Sequence, residues 1–265
     1  MSRDNRRAWN NARLAPDEAL WELFHENTKS SRFDSFLDTA AVIAWQSALE
    51  PSLPYEGHPT TTLPPPQETF AAPLGDVLRE RRTTMDFRRG ALPLTALATL
   101  LFYAYGTTRS NEDGYPPMYR AVPSAGALYP LELYFYTCVA EQLPAGLYHY
   151  DPSQHAVSLI DDGDLTDAVG QCLLVPQLAH DAELIVFVTG AFERTTYKYG
   201  DRGYRFVLLE AGHVAQNLAL VSAALGLGCL NIGGFRDRDT DRFLGLDGIR
   251  QSAIYLAAVG TARSP

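Results

Sequence analysis

Two lysines, Lys29 and Lys198, stand among the 22 basic side chains of this 265-residue chain. The second lies in Thr196-Tyr197-Lys198-Tyr199-Gly200-Asp201-Arg202. Arginine keeps its proton at any working pH, whereas burial or a nearby positive charge lets a lysine amine release one. A lysine flanked by phenols is therefore a candidate base, weighed against a surface lysine in a loop. Three other segments carry usable chemistry. Arg81-Arg82-Thr83-Thr84 offers two guanidiniums and two hydroxyls, a donor set for a phosphate and a polyol, although most arginine pairs are simply solvated. Pro123-Ser124-Ala125-Gly126-Ala127 is a small-residue turn whose backbone could reach a ligand edge. No Gly-x-Ser-x-Gly elbow surrounds Ser124, which argues against a serine nucleophile. Asn231-Ile232-Gly233-Gly234 would let backbone amides approach a flat ligand, with a plain turn as the commoner explanation.

Two tempting patterns fail on context. Gly226-Leu227-Gly228 with Gly233 and Gly234 follows a helix, whereas a dinucleotide-binding fingerprint needs a strand before it and a helix after. Glu22-x-x-His25 and Glu210-x-x-His213 repeat the spacing of carboxylate-bridged di-iron bundles, but such a centre needs two more glutamates from two further helices. A chain with this many strands cannot supply that core. His149 and His155 fall on hairpin strands as ordinary polar positions.

The elements that must position these groups are mixed. A helix is expected after Pro16-Asp17-Glu18, and a second over Phe36 to Leu49. Seven prolines between Pro51 and Pro73 make an extended arm. A helix follows over Leu94 to Tyr105, with Gly106 as its stop. Leu131 to Val139 reads as a strand, then a hairpin of Leu147 to Tyr150 and Ala156 to Ile160, and a strand over Leu184 to Val188. The lysine segment is expected as a loop, followed by a helix from about Glu210 to Leu225 and a last strand over Ile254 to Val259. Clustered hairpin strands with helices argue for an α+β layered domain. The divisions expected are 1–50, an N-terminal helical section; 51–73, a proline-rich arm or linker; and 74–265, the main domain.

With 46% apolar residues the chain has ample material for a core, and intrinsic disorder is excluded for most of it. Its 31 acidic residues against 22 basic give −9, with no basic run for a phosphate backbone, so no nucleic-acid partner is expected. No apolar run approaches a membrane span, so a cytoplasmic protein without a membrane partner is expected. Cys138, Cys172 and Cys229 lie far apart among apolar neighbours and suit reduced core thiols; no metal site is expected.

Pro123-Ser124-Ala125-Gly126-Ala127-Leu128-Tyr129-Pro130, Gly146-Leu147-Tyr148-His149-Tyr150-Asp151-Pro152, and Glu210-Ala211-Gly212-His213 leading to Gln216-Asn217 together resemble the SagB-type branch of the FMN-dependent nitroreductase superfamily. That branch contains the azoline oxidases of thiazole and oxazole biosynthesis. The likeness spans roughly Arg79 to Gly260, and His25-Glu26-Asn27-Thr28-Lys29 resembles the same branch. It implies a nitroreductase-like layered fold, a central mostly antiparallel sheet flanked by helices, in an intertwined homodimer with FMN at the interface. Arg81, Arg82 and Thr83 match positions holding ribityl and phosphate; Pro123, Ser124 and Gly126 match a loop closing on the flavin; Ile232, Gly233 and Gly234 match backbone facing N5. Met85 departs from a commonly basic position, and Arg263 is the expected substitute.

Lys198 and Tyr199 match the Lys-Tyr pair of azoline oxidases. The implied reaction oxidises a thiazoline or oxazoline in a ribosomal or carrier-bound peptide. Lys198 and Tyr199 handle the Cα proton, hydride passes to flavin N5 and oxygen reoxidises the flavin. The amine would have to be desolvated, or lie beside Arg194 or Arg202, to serve as base. A cyclodehydratase or peptide synthetase is the implied partner. A nicotinamide-dependent nitro or quinone reductase and an FMN-binding scaffold subunit remain open beside this reading.

Overall fold

The apolar run beginning at Leu131 becomes the middle of a seven-stranded sheet. The computed structural model describes residues 19–31, 38–48, 50, 52–111 and 118–263. In chain order the first elements are α1 (Leu20–Asn27), α2 (Thr39–Ser47), β1 (Thr60–Thr62), α3 (Leu74–Glu80) and α4 (Leu94–Tyr105). A small hairpin follows, β2 (Thr107–Ser110) with β3 (Met118–Arg120), then β4 (Leu131–Thr137), β5 (Gly146–Asp151) and β6 (Ala156–Asp162). Next come α5 (Thr166–Cys172), α6 (Gln177–Asp181), β7 (Leu184–Ala191), α7 (Glu193–Tyr199) and α8 (Arg202–Ala224). The chain closes with β8 (Gly228–Ile232), α9 (Asp237–Leu244) and β9 (Gln251–Gly260).

The sheet order is β1-β6-β5-β4-β7-β9-β8, and every adjacent pair is antiparallel. Side chains alternate across a strand. Leu133 and Phe135 of β4 join Val186 and Val188 of β7 beneath α4 and α8, while Tyr134 and Tyr136 join Ile185 and Phe187 on the face covered by α5, α6 and α9. Because helices cover both faces, β4 and β7 are buried at every position and read as mostly apolar runs, with Glu132 the one charged residue among them. The expected α+β layered fold with a mostly antiparallel sheet is what forms.

Four expectations are adjusted. The arm is no mere linker, because β1 pairs Thr60, Thr61 and Thr62 with Ser158, Val157 and Ala156 at the sheet edge. Gly106 ends α4 by close approach rather than by a left-handed turn. Its φ is −67°, and a Cβ there would lie 2.7 Å from the Phe102 carbonyl oxygen. The long helix begins at Arg202, eight residues before Glu210. By length and composition α8 could also cross a bilayer, contrary to the reading of the sequence; instead its Val207, Ala211, Val214 and Leu218 face is packed in the core. The proposed helix start at Pro16-Asp17-Glu18 lies outside the described residues, and α1 is described from Leu20.

Candidate active site

Lys198 and Tyr199 are helical, not in a loop: they end α7, a seven-residue helix closed by Gly200. Thr195, Thr196 and the two flanking tyrosines are mediocre helix formers, so the propensity signal was weak. Tertiary contacts hold the element instead. Arg194 and Thr195 are buried, Tyr197 stacks on Trp45 of α2 at 4.2 Å with rings 10° apart, and Tyr199 meets Phe206 of α8 edge-on at 4.9 Å. The amine of Lys198 lies 5.2 Å from the centre of the Tyr199 ring.

The same two side chains close on the small-residue turn. Gly126 has φ +64°, and a Cβ placed there would lie 2.7 Å from the Tyr199 hydroxyl and 2.9 Å from the Lys198 amine. Only glycine satisfies both the left-handed backbone and that contact. Ala127 and Tyr129 also carry positive φ, 52° and 45°, so this turn stores backbone strain that its surroundings must hold. Ser124 does part of that work: its hydroxyl accepts the Tyr129 N–H at 2.9 Å and bonds the buried carboxyl of Glu210 on α8. Tyr105 of α4 donates to Glu210 at 2.8 Å while accepting the Leu131 N–H at 3.0 Å. Burial pushes the Glu210 carboxyl up to about 7; the bonds from Ser124 and Tyr105 and the charges of Arg120 and Arg194 oppose this without overcoming it.

A second group assembles along β8. Thr83 bridges Cys229 in parallel, the Thr84 N–H bonds the Cys229 carbonyl at 3.0 Å, and a Cβ on Gly228 would strike the Thr84 side chain. Three residues beyond Cys229, about 10 Å along the strand, the chain reaches Ile232 and the exposed Gly233 and Gly234. Arg81 is half-buried at the end of α3 and Arg82 is exposed. Pro123 is exposed beside the first group. Arg263 reaches the chain just beyond Thr83: its guanidinium pairs with Asp86 at 3.2 Å and donates to the Phe87 carbonyl at 3.2 Å. It is therefore engaged by an acid, and its polar contacts are to Asp86 and Phe87 rather than to Arg81, Arg82 or Thr83.

Both groups flank α8. Glu210 supports the first, and the Ala215 carbonyl accepts the Asn231 side chain at 3.3 Å beside the second. Five residues of helix separate them by about 7.5 Å along the axis and roughly 140° around it. The arginines proposed as neighbours of Lys198 have other partners: Arg194 pairs with Glu132 at 2.6 Å, and Arg202 donates to the Thr28 carbonyl at 2.7 Å.

Reasoning from sequence missed Glu132, Tyr105 and Arg120, and placed Glu210 in a metal pattern and in the family-like segment without giving its carboxyl a role in the site. A lone acid inside Leu131-Glu132-Leu133 was the available signal, since a charge in a buried strand requires partners. Among the described residues no cluster fit for a metal ion occurs. His149 is more than an ordinary polar residue, being buried at 2.8 Å from Glu132; His155 instead bonds Tyr150 and the Pro64 carbonyl. All three cysteines are free thiols.

A family model described as the nitroreductase family matches residues 78–261. The protein MJ1384 of Methanocaldococcus jannaschii, named as a nitroreductase, is 36% identical over 187 residues, covering 71% of this chain and 90% of that protein. The trifolitoxin-processing protein TfxB of Rhizobium leguminosarum is 29% identical over 142 residues, and the microcin B17-processing protein McbC of Escherichia coli 31% over 139. They match 51% and 48% of this chain, which spans only 38% of TfxB and 49% of McbC. A solved nitroreductase structure from Anabaena variabilis superposes with a TM-score of 0.73 at 24% identity, covering 96% of this chain and 49% of that one.

Proposed function

The chain belongs to the nitroreductase family, and from that premise we propose that it is an FMN-dependent dehydrogenase oxidising thiazoline or oxazoline rings of a peptide to thiazole or oxazole. The observation that carries the reading is the convergence of the Lys198 amine and the Tyr199 hydroxyl, 2.9 and 2.7 Å from the Cβ position of Gly126. An amine beside a phenol is a set that removal of a carbon-bound proton can use. Similarity to two proteins named for processing peptide toxins supports a peptide substrate.

The donor set fits FMN. Arg81, Arg82 and Thr83 offer charge-assisted and hydroxyl donors for a phosphate and ribityl chain. Gly233 has nothing nearer its Cβ position than the Tyr255 ring at 3.8 Å, leaving room for a flat ring against the backbone. Ser124 and Gly126, on the other side of α8, would reach the flavin of a second copy. That division supports a homodimer, as does the exposed face of α8 bearing Leu208, Leu209, Gly212, His213 and Gln216. When bound, FMN supplies the acceptor for a hydride.

Aromatising an azoline removes a proton from Cα and a hydride from Cβ, and the ring gains the double bond between them. The Lys198 amine takes the Cα proton, and the Tyr199 hydroxyl holds the ring nitrogen or shares the transfer. Their placement at the end of α7, with Gly126 against both, sets the direction of attack before the substrate arrives. Purified protein should be yellow and dimeric. Lys198→Ala should keep FMN and lose about 100-fold or more in turnover of an azoline peptide, followed by the mass loss of two hydrogens. Equal turnover in this variant overturns the assignment. The 36% identity to a protein named as a nitroreductase favours the competing reductase reading, for which rapid flavin bleaching by NADPH alone is the sign.

A further inference from the structure

A fully buried and fully partnered carboxylate lies off the reacting groups. Glu132, 2% exposed in the second position of β4, has both carboxylate oxygens doubly engaged. Oε1 accepts from Arg194 at 2.6 Å and from the Leu53 N–H at 3.2 Å. Oε2 accepts from the Ser52 hydroxyl at 3.1 Å and lies 2.8 Å from His149 Nε2. Burial works against its charge, but Arg194 and His149 outweigh that and hold the carboxyl down at about 2.

Arg194 carries the connection onward. Besides Glu132 it donates to the Tyr129 carbonyl at 3.3 Å, at the end of the strained turn, and to the Glu50 carbonyl at 3.4 Å, in the segment leading into the arm. It occupies the first turn of α7, and Lys198 stands four residues later, about 6 Å along the same helix face. One guanidinium thus joins the central strand, the turn holding Gly126, the arm and the helix bearing the lysine. Upstream of the arm, Trp45 stacks on Tyr197, so Trp45, Glu50 and Leu53 reach α7 and its buried partners from the N-terminal side. A buried ion pair is a poor device for stability alone, because apolar residues of similar volume commonly do as well. The surrounding strands are mostly apolar, which makes a buried ion pair here a device for fixing orientation.

We propose that Glu132, acting through Arg194 and backed by His149, is the positioning residue for Lys198 and Tyr199, and that the contacts of Glu50, Ser52 and Leu53 hold this joint from the arm. This deepens the dehydrogenase reading and rests on it for its effect on turnover, but the placement of Lys198 can be measured without turnover. The chain has two lysines, so reductive ¹³C-methylation labels them and the α-amine alone, and Lys29→Arg assigns Lys198 by NMR.

The test uses the full FMN-loaded protein, with kcat read on unmethylated samples. Glu132→Gln and Arg194→Met should shift or broaden the Lys198 signal, leave Lys29 and FMN content as they were, and lower kcat about tenfold or more with little change in KM. Arg194→Lys, which keeps the charge without the fork, should restore part of both. Glu183→Gln removes another buried carboxylate, one bonded to Gly90 and Thr261 rather than to α7, and should leave the Lys198 signal in place. A folded Glu132→Gln with an unmoved Lys198 signal overturns the proposal, as does an equal displacement by Glu183→Gln. If Glu132→Gln does not fold, Arg194→Met decides by the same criterion. Failure of the dehydrogenase reading shows itself separately, as turnover surviving Lys198→Ala.

Discussion

Replacing Glu210 by glutamine tests the support beneath the strained turn through its proton. The folded carboxyl is raised to about 7 from 4.5, chiefly by burial. A group raised on folding contributes stability that is fully present below its unfolded pKa and is lost as pH rises through its folded pKa. Here that window runs from 4.5 to about 7. Below it both states hold the proton; within it the unfolded chain ionises first; above it the native state must accommodate a buried carboxylate. The full shift corresponds to about 3.4 kcal/mol, of which about 2.5 kcal/mol falls between roughly pH 5 and pH 8. Glutamine fills the same space and does not titrate. Urea unfolding of both proteins, loaded with cofactor, at those two pH values therefore has a definite expectation. The difference in stability, variant minus wild type, should grow by about 2.5 kcal/mol from roughly pH 5 to pH 8. A difference that stays constant with pH refutes the reasoning, because Glu210 would then titrate alike in the folded and unfolded chain.

Three further outcomes follow from particular contacts. Gly126→Ala places a Cβ at φ +64° against Tyr199 and Lys198; stability should fall by roughly 1–2 kcal/mol in thermal melts, with turnover falling more than FMN content. Arg81→Ala should weaken FMN binding about 10- to 100-fold, the worth of a charge-assisted bond, read from recovery of free flavin fluorescence on dilution. Trp45→Ala removes the stack on Tyr197 and should cost about 0.5–1.5 kcal/mol beyond the area lost, with a change in turnover that a remote surface substitution does not produce.

Much of the fold was legible because its signals are local. The aromatic and β-branched runs at Leu131 and Leu184, the hairpin around Asp151-Pro152 and the periodic apolar face of Leu94 to Tyr105 each declare their element within a dozen residues. The helix over Glu193–Tyr199 did not, since its residues prefer other conformations and its stability comes from Glu132, Trp45 and Phe206. Nor did the edge strand in the arm, where three threonines take their meaning from pairing with β6.

The sequence by itself determined which chemistry was available: one lysine between tyrosines, an arginine pair before two threonines, and glycines where backbone must approach closely. Those are facts of residue type and spacing, and they hold before any folding. Only the tertiary structure decided which of them lie together. It brought Gly126 against Lys198 and Tyr199 across more than seventy residues of chain, set Thr83 beside Cys229, and placed Glu210 in a site dry enough to hold its proton near neutrality. Contact across such separations, and the loss of water that shifts a carboxyl, arise from packing and are written in no single stretch of residues.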